Sequence, residues 1–217
     1  MPAIGVQHCL QDFTQSVPDS LDLAKEAQYF RVIQPDGSHR HIGIRRVELF
    51  AGIALLRIHM AWETFLENVF VRYMCGATSA TGFTPVLLLA PKPTIEAAMG
   101  ELLGQNQYLN WTPLNTVTWA KLYFAHGEPF NTAINAVTQT LDDISVVRNR
   151  LAHRSEFATS NFRSVVLRAF GYIPRIPRGM NAGRFLLTIN PSSSASSPTF
   201  LEFYANTLLG AGLSIVP

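Results

Sequence analysis

Residues 148–153 read Arg-Asn-Arg-Leu-Ala-His. Three side-chain types in those six positions suit phosphate chemistry. An imidazole exchanges protons near neutral pH, and a guanidinium offers a planar fork of donors to phosphate oxygens. An amide can hold a phosphate or orient the imidazole. RNA carries its own nucleophile, the 2′-hydroxyl. Cleavage then needs one group to move a proton and one cation to stabilise a phosphorane-like transition state. His153 fits the first task and Arg148 the second, with Asn149 beside them. The scheme calls for no metal and no cofactor, and the sequence shows neither HExxH nor a phosphate-binding glycine loop.

These residues close a helical pattern running from Asn131 to about Arg154. Its apolar stripe is Ile134, Val137, Leu141, Ile144, position 148 and Leu151, spaced three and four apart. Position 148 is expected on the core side, yet it holds an arginine, which cannot be buried unpaired cheaply. Arg148 therefore either pairs with a carboxylate from another helix or lines a cleft that an anion enters. Glu63 and Glu67 are the candidate carboxylates, either as partners of Arg148 or as groups that orient His153. Asn149 and His153 lie about 40° apart, one turn along the same face, whereas Arg148 lies about 140° from His153. A straight helix would not aim both at one atom. Either the helix breaks near the motif, or two copies meet across a two-fold axis.

The remaining pattern sets the frame. The 217 residues suit one domain, or one domain with a small appendage. Residues 1–44 read as an N-terminal arm or hairpin, with strand, turn and strand over 29–34, 35–38 and 39–44; Asp36-Gly37 supplies the turn. Residues 45–217 read as the helical domain. Apolar residues three or four apart predict one long helix over 45–75. Thr94 caps a helix over 95–103, and Thr112-Pro113 opens another that Gly127 ends. Residues 161–172 read as a helix, 184–189 as a strand, 190–198 as a loop and 199–213 as a terminal helix. The expected class is mainly α with a few short β-strands.

Composition narrows the function classes. At 47% hydrophobic residues the chain is no disordered segment. Its 15% charged residues fall below the roughly 25% of a typical soluble domain, as expected if part of the surface is covered by a second copy. The net charge of +2 hides a segregation. Eight of the 14 arginines (148, 150, 154, 163, 168, 175, 178 and 184) fall within 37 residues where Glu156 is the only acid, a local net of about +7. Such a segment fits a phosphate backbone, with Arg150 and Arg154 nearest the motif. Phe157, Phe162, Phe170 and Tyr172 are either base-stacking groups or core. His59, Glu63 and Glu67 share one helix face, and His39 and His41 flank the hairpin; both read as surface polar sets rather than metal sites. His126 reads as a helix-terminal residue. Cys9 and Cys75 give no disulfide framework. No leader pattern and no continuous apolar run of membrane length is visible, so a soluble, cytoplasmic protein without a membrane partner is expected.

The segment RNRLAH resembles the motif of HEPN-domain ribonucleases: Arg, a polar residue, three more residues, then His. AWETFLENVFVRYMCG (61–76) is similar to the early helix of the MAE-type or RiboL-PSP-type members. SEFATSNFRSVV, the Gly-Arg-Phe-Leu segment at 183–186 and FLEFYANTLL are similar too, so the resemblance spans roughly 45–210. It implies a HEPN-like helical bundle forming a homodimer, with the motif pairs facing each other in a cleft. It further implies a metal-independent endoribonuclease acting on RNA as a toxin or phage-defence effector, with an antitoxin or operon-encoded protein as partner. Arg148, Asn149 and His153 match the motif positions. Many members lack activity, which leaves two other readings: a silent HEPN-like binding module, or a plain helical dimerisation domain in which Arg148 sits in a buried ion pair.

Overall fold

The computed structural model describes residues 5–171, 175–192 and 198–217. Among them the chain is mainly α, as expected. Helix α1 (Gln7–Glu26) leads to strands β1 (Arg31–Ile33) and β2 (His39–His41). The helices α2 (Ile44–Met74), α3 (Ile95–Leu103), α4 (Pro113–Tyr123), α5 (Phe130–Asn135), α6 (Thr138–Ala152), α7 (Glu156–Ala169), α8 (Ala182–Leu187) and α9 (Phe200–Ile215) follow.

Several elements form where the residues dictate. Thr94 caps α3 by accepting from the Ala97 amide at 3.1 Å, and Thr112 caps α4 ahead of Pro113. The hairpin pairs Arg31 with His41, Val32 with Arg40 and Ile33 with His39. Its turn is closed by Asp36, whose Oδ1 accepts from the Ser38 amide at 2.9 Å, and by Gly37 at φ 79°.

Four expectations need correction. Residues 7–26 form a helix that the mixed pattern of the first 44 residues hides. Pro18 stands inside it and reads as a breaker in sequence; Leu10, Phe13, Val17 and Leu21 nevertheless form its buried stripe, continued by Val6 just ahead of it. The run 131–154 is not one helix, because a turn at Ala136-Val137 separates α5 from α6. Within α6 the buried residues are Leu141, Ile144 and Val147, spaced three apart, so Val147 takes the core position that the stripe assigned to 148. Arg148 is consequently only half-buried, beside the core stripe and not on it. Helix α4 ends at Tyr123 and not at Gly127, since Leu88 donates to the Tyr123 carbonyl and Ala125 to that of Val86, drawing the chain into extended backbone. Finally, 184–189 is not a strand. Asn181 Oδ1 accepts from the Arg184 amide at 2.9 Å and starts the helix α8; strand pairing is limited to a bridge between Ile189 and Thr199.

The chain divides into two compact units. One comprises Met1–Gln15, Ala61–Asp142 and Thr207–Pro217; the other Ser16–Met60 and Asp143–Asn206. In the first, the core is aromatic. Phe70 contacts Phe130 and Phe124 with ring centroids 4.9 and 5.0 Å apart, and Phe13 stacks on Phe65 at 4.9 Å. The buried Tyr73 hydroxyl donates to the Ile215 carbonyl at 3.1 Å. In the second unit, Phe185 stacks on Phe200 at 4.3 Å, flanked by Phe162 and Phe170. There α8 lies hard against α2: a β-carbon on Gly183 would stand 2.1 Å from the Glu48 carbonyl oxygen. Glu48 is itself buried and accepts from Asn181 Nδ2 at 2.8 Å.

By length and composition alone α2 is apolar enough to cross a bilayer. Within its most apolar window 44% is buried inside the fold, so length and composition alone do not assign this helix to a bilayer.

Candidate functional site

The motif lies in the second unit, where α6 ends and α7 begins. The His153 amide donates to the Asn149 carbonyl at 2.8 Å, carrying the helical bonding one residue past Ala152. Arg150 Nη1 then donates to the His153 carbonyl at 3.1 Å. A cation at a helix C-terminus satisfies an orphan carbonyl and suits the dipole. Two residues on, Ser155 is extended (φ −64°, ψ 155°), and its Oγ accepts from the Ala158 amide at 3.2 Å, capping α7. The chain thus reverses between the negative end of one helix and the positive end of the next, with His153 at the reversal.

Asn149 and His153 both line a groove of about 190 Å³. Ser155, Phe157 and Asn161 complete its polar and aromatic rim, over Val146 and Ala158. Arg148 does not line the groove but reaches it indirectly, since its Nη1 donates to Asn149 Oδ1 at 3.0 Å. The guanidinium is therefore tethered to a neutral amide rather than locked to a carboxylate. That differs from the buried ion pair considered for it above. Its neighbour in the basic run, Arg168, is locked: it pairs with Asp143. Arg154 is exposed at the reversal and Arg150 half-buried.

Phe157 is 77% exposed on the groove, so among the described candidates it is the aromatic whose face is open to solvent there. Phe162 is buried and Phe170 lies against Phe185 and Phe200, so both serve the core. Tyr172 lies outside the described residues, as does most of the serine loop expected at 190–198. Ser155 and Asn161 were not among the residues singled out. The signal for Ser155 is the Ser-Glu pair that opens a helix; nothing in the pattern marks Asn161.

Glu63 and Glu67 belong to the first unit, whereas Arg148 and His153 belong to the second. Glu67 accepts from Trp111 Nε1 at 3.4 Å. Among the described residues no group of three or more His, Cys, Asp or Glu is arranged to hold a metal ion. Both cysteines are free, and burial pushes both thiols up, away from an activated nucleophile.

The chain matches no family model, no curated protein and no solved structure. The HEPN resemblance thus rests on RNRLAH and its flanks alone.

Proposed function

We propose that this protein is a metal-independent endoribonuclease of HEPN type, acting as a cytoplasmic homodimer in a toxin or defence role. One observation carries the reading: Asn149 and His153 share a groove at the capped start of α7, with the Arg148 guanidinium tethered beside it. In the proposed reaction the RNA 2′-oxygen attacks the adjacent phosphorus and the bond to the 5′-oxygen breaks. This leaves a cyclic phosphate and a free 5′-hydroxyl. His153 moves a proton, Arg148 faces the developing charge, and Arg150 and Arg154 hold flanking phosphates. The antitoxin or operon-encoded partner belongs to this proposal.

A second copy completes the cation set, because Arg148 of one chain stays outside its own groove. Support comes from α2, where Leu49, Ile53, Leu56 and Met60 fall within about 60° of one another on the helix surface. Leu49, Ile53 and Met60 are exposed, and Leu56 is half-buried. Apolar stripes of that kind mark association surfaces.

The test is labelled RNA incubated with pure protein in EDTA, beside His153→Ala. Cleavage in EDTA that the substitution lowers by on the order of 10²–10⁴-fold is expected. Full activity in a folded His153→Ala protein would sink the assignment. RNA bound but never cut would favour the silent binding module instead, a reading that the absence of Arg148 from the groove lining also suits.

A further inference from the structure

The hairpin and the first turn of α2 enclose another groove, of about 750 Å³, which shares no lining residue with the one at His153. Arg40, His41, Arg45 and Arg46 line it together with Val32 and Ile33. Residues 31–46 hold four arginines and two histidines against one acid, Asp36. That carboxylate is occupied within its own turn by the Ser38 amide. The next acid, Glu48, is buried and bonded to Asn181. The guanidinium groups of Arg40, Arg45 and Arg46 make no ion pair or hydrogen bond to another described residue, and all three are exposed.

The placement is electrostatically costly as it stands. Arg45 and Arg46 occupy the first turn of a 31-residue helix that has no acidic residue there. Its unsatisfied amides already make that end positive. Three unpaired cations around a positive helix end repel one another, and an anion in the groove reverses the sign of every one of those interactions. The surroundings specify the anion further. Ile33 is 68% and Ile44 66% exposed in the lining, giving apolar faces beside the charges. Ile42 and Ile44 also wall an adjoining cavity of about 520 Å³, where Leu21, Val47 and Leu201 are among the lining residues. Phosphates spaced between flat apolar groups are the chemistry of an unpaired nucleic-acid strand. An anionic membrane surface would meet a protruding patch better than a concave one.

We propose that this groove binds the backbone of single-stranded nucleic acid, its phosphates on Arg40, Arg45 and Arg46 and its bases against Ile33 and Ile44. The choice of RNA rests on the ribonuclease reading above, but strand binding does not require cleavage.

The test uses the full chain and a fluorescent 2′-O-methyl oligoribonucleotide of about 12 nucleotides, within the usual span of such sites and inert to 2′-hydroxyl attack. Binding is followed by fluorescence anisotropy across a salt series. Replacing all three arginines by glutamate is expected to weaken binding at least tenfold (~10-fold) and to make the slope of log affinity against log salt shallower by about 2, the share of three phosphate contacts on a single strand. A triple Arg→Gln variant, checked for fold by circular dichroism, should lose affinity in the same direction. Unchanged affinity and slope in both variants would overturn the proposal. So would failure of the wild type to bind the oligonucleotide, or preferential binding to phosphatidylserine vesicles. Wild-type protein that cuts no RNA, while its strand binding depends on these arginines, would remove the ribonuclease reading and leave this one standing.

Discussion

Leu151 of the motif rests against Gly52 of α2, so closely that a β-carbon on Gly52 would lie 2.7 Å from Leu151 Cδ2. The end of α6 is seated by this contact. Alanine at 52 gains about 1 kcal/mol of helix propensity over glycine, which offsets part of the crowding because Leu151 is only half-buried and can turn away. Gly52→Ala should therefore change stability by less than about 1 kcal/mol, whereas Gly52→Val should cost about 2 kcal/mol. Urea midpoints of the two variants check the difference.

Gly183 faces backbone instead, with the Glu48 carbonyl 2.1 Å from where a β-carbon would stand. Backbone cannot rotate aside, so α8 must leave α2 to accommodate even alanine. Gly183→Ala is expected to destabilise by about 3 kcal/mol or more, beyond the usual overpacking range of side-chain clashes. A thermal melt within 2 °C (~2 °C) of wild type would contradict this.

Arg148→Lys keeps the charge and loses the fork. A lysine ammonium is a compact point charge without the planar, multidentate donor set. If Arg148 stabilises the transition state, kcat should fall by roughly 10²-fold with the melting temperature unchanged. Equal kcat in both proteins would reduce the residue to a point charge.

Glu202 closes a capping box at the start of α9: its carboxylate accepts from the Thr199 amide, while the Thr199 hydroxyl accepts from the Glu202 amide. Burial works against its ionisation, but hydrogen bonds from Thr199 and Lys25 outweigh it and hold the carboxyl below the ordinary range. A depressed folded-state value means that the stabilisation is fully present above the unfolded value, near ~4.3, and lost as pH falls through the folded one. Glu202→Gln should therefore be less stable than wild type by about 1 kcal/mol at neutral pH, and the gap should narrow in acid as pH falls below that unfolded value. Urea unfolding at neutral and acid pH measures it.

The apolar stripe of α2 bears on assembly. Leu49→Glu with Met60→Glu places charges on two exposed apolar positions. Sedimentation should show a dimer for wild type and a monomer for the double variant, since an apolar association surface does not tolerate buried unpaired charge. An unchanged dimer would place the interface elsewhere.

How much of this was legible in sequence differs by element. The long helix, the Thr94 and Thr112 caps and the hairpin were readable because local signals fix them: three-and-four spacing, a capping oxygen, an Asp-Gly turn. Helix α1 was not, since Pro18 argues locally against a helix that a buried stripe nonetheless sustains. The α5–α6 break was missed because Val137 fits the stripe on either side of it. The strand expected at 184–189 became a helix because Asn181 caps it, a local signal that the apolar run behind it outweighed, while the seat of Gly183 on Glu48, 135 positions away, is invisible to any local pattern. At the site, periodicity placed Asn149 and His153 on one face correctly, and both line the groove. It misjudged Arg148, because Val147, one residue earlier, offers the core an apolar side chain three residues after Ile144 and leaves the arginine beside the stripe.

The tether of Arg148 has a consequence for what the groove accepts. Asn149 Oδ1 is already taken by a guanidinium donor, which orients the amide. What stays wholly free to meet a visitor is the NH₂ end, with two donors, while Oδ1 keeps one lone pair. A ligand rich in acceptors gains a partner there without disturbing Arg148. One that arrives as a donor must share the oxygen with the guanidinium, and so this part of the wall leans toward acceptors before shape matters.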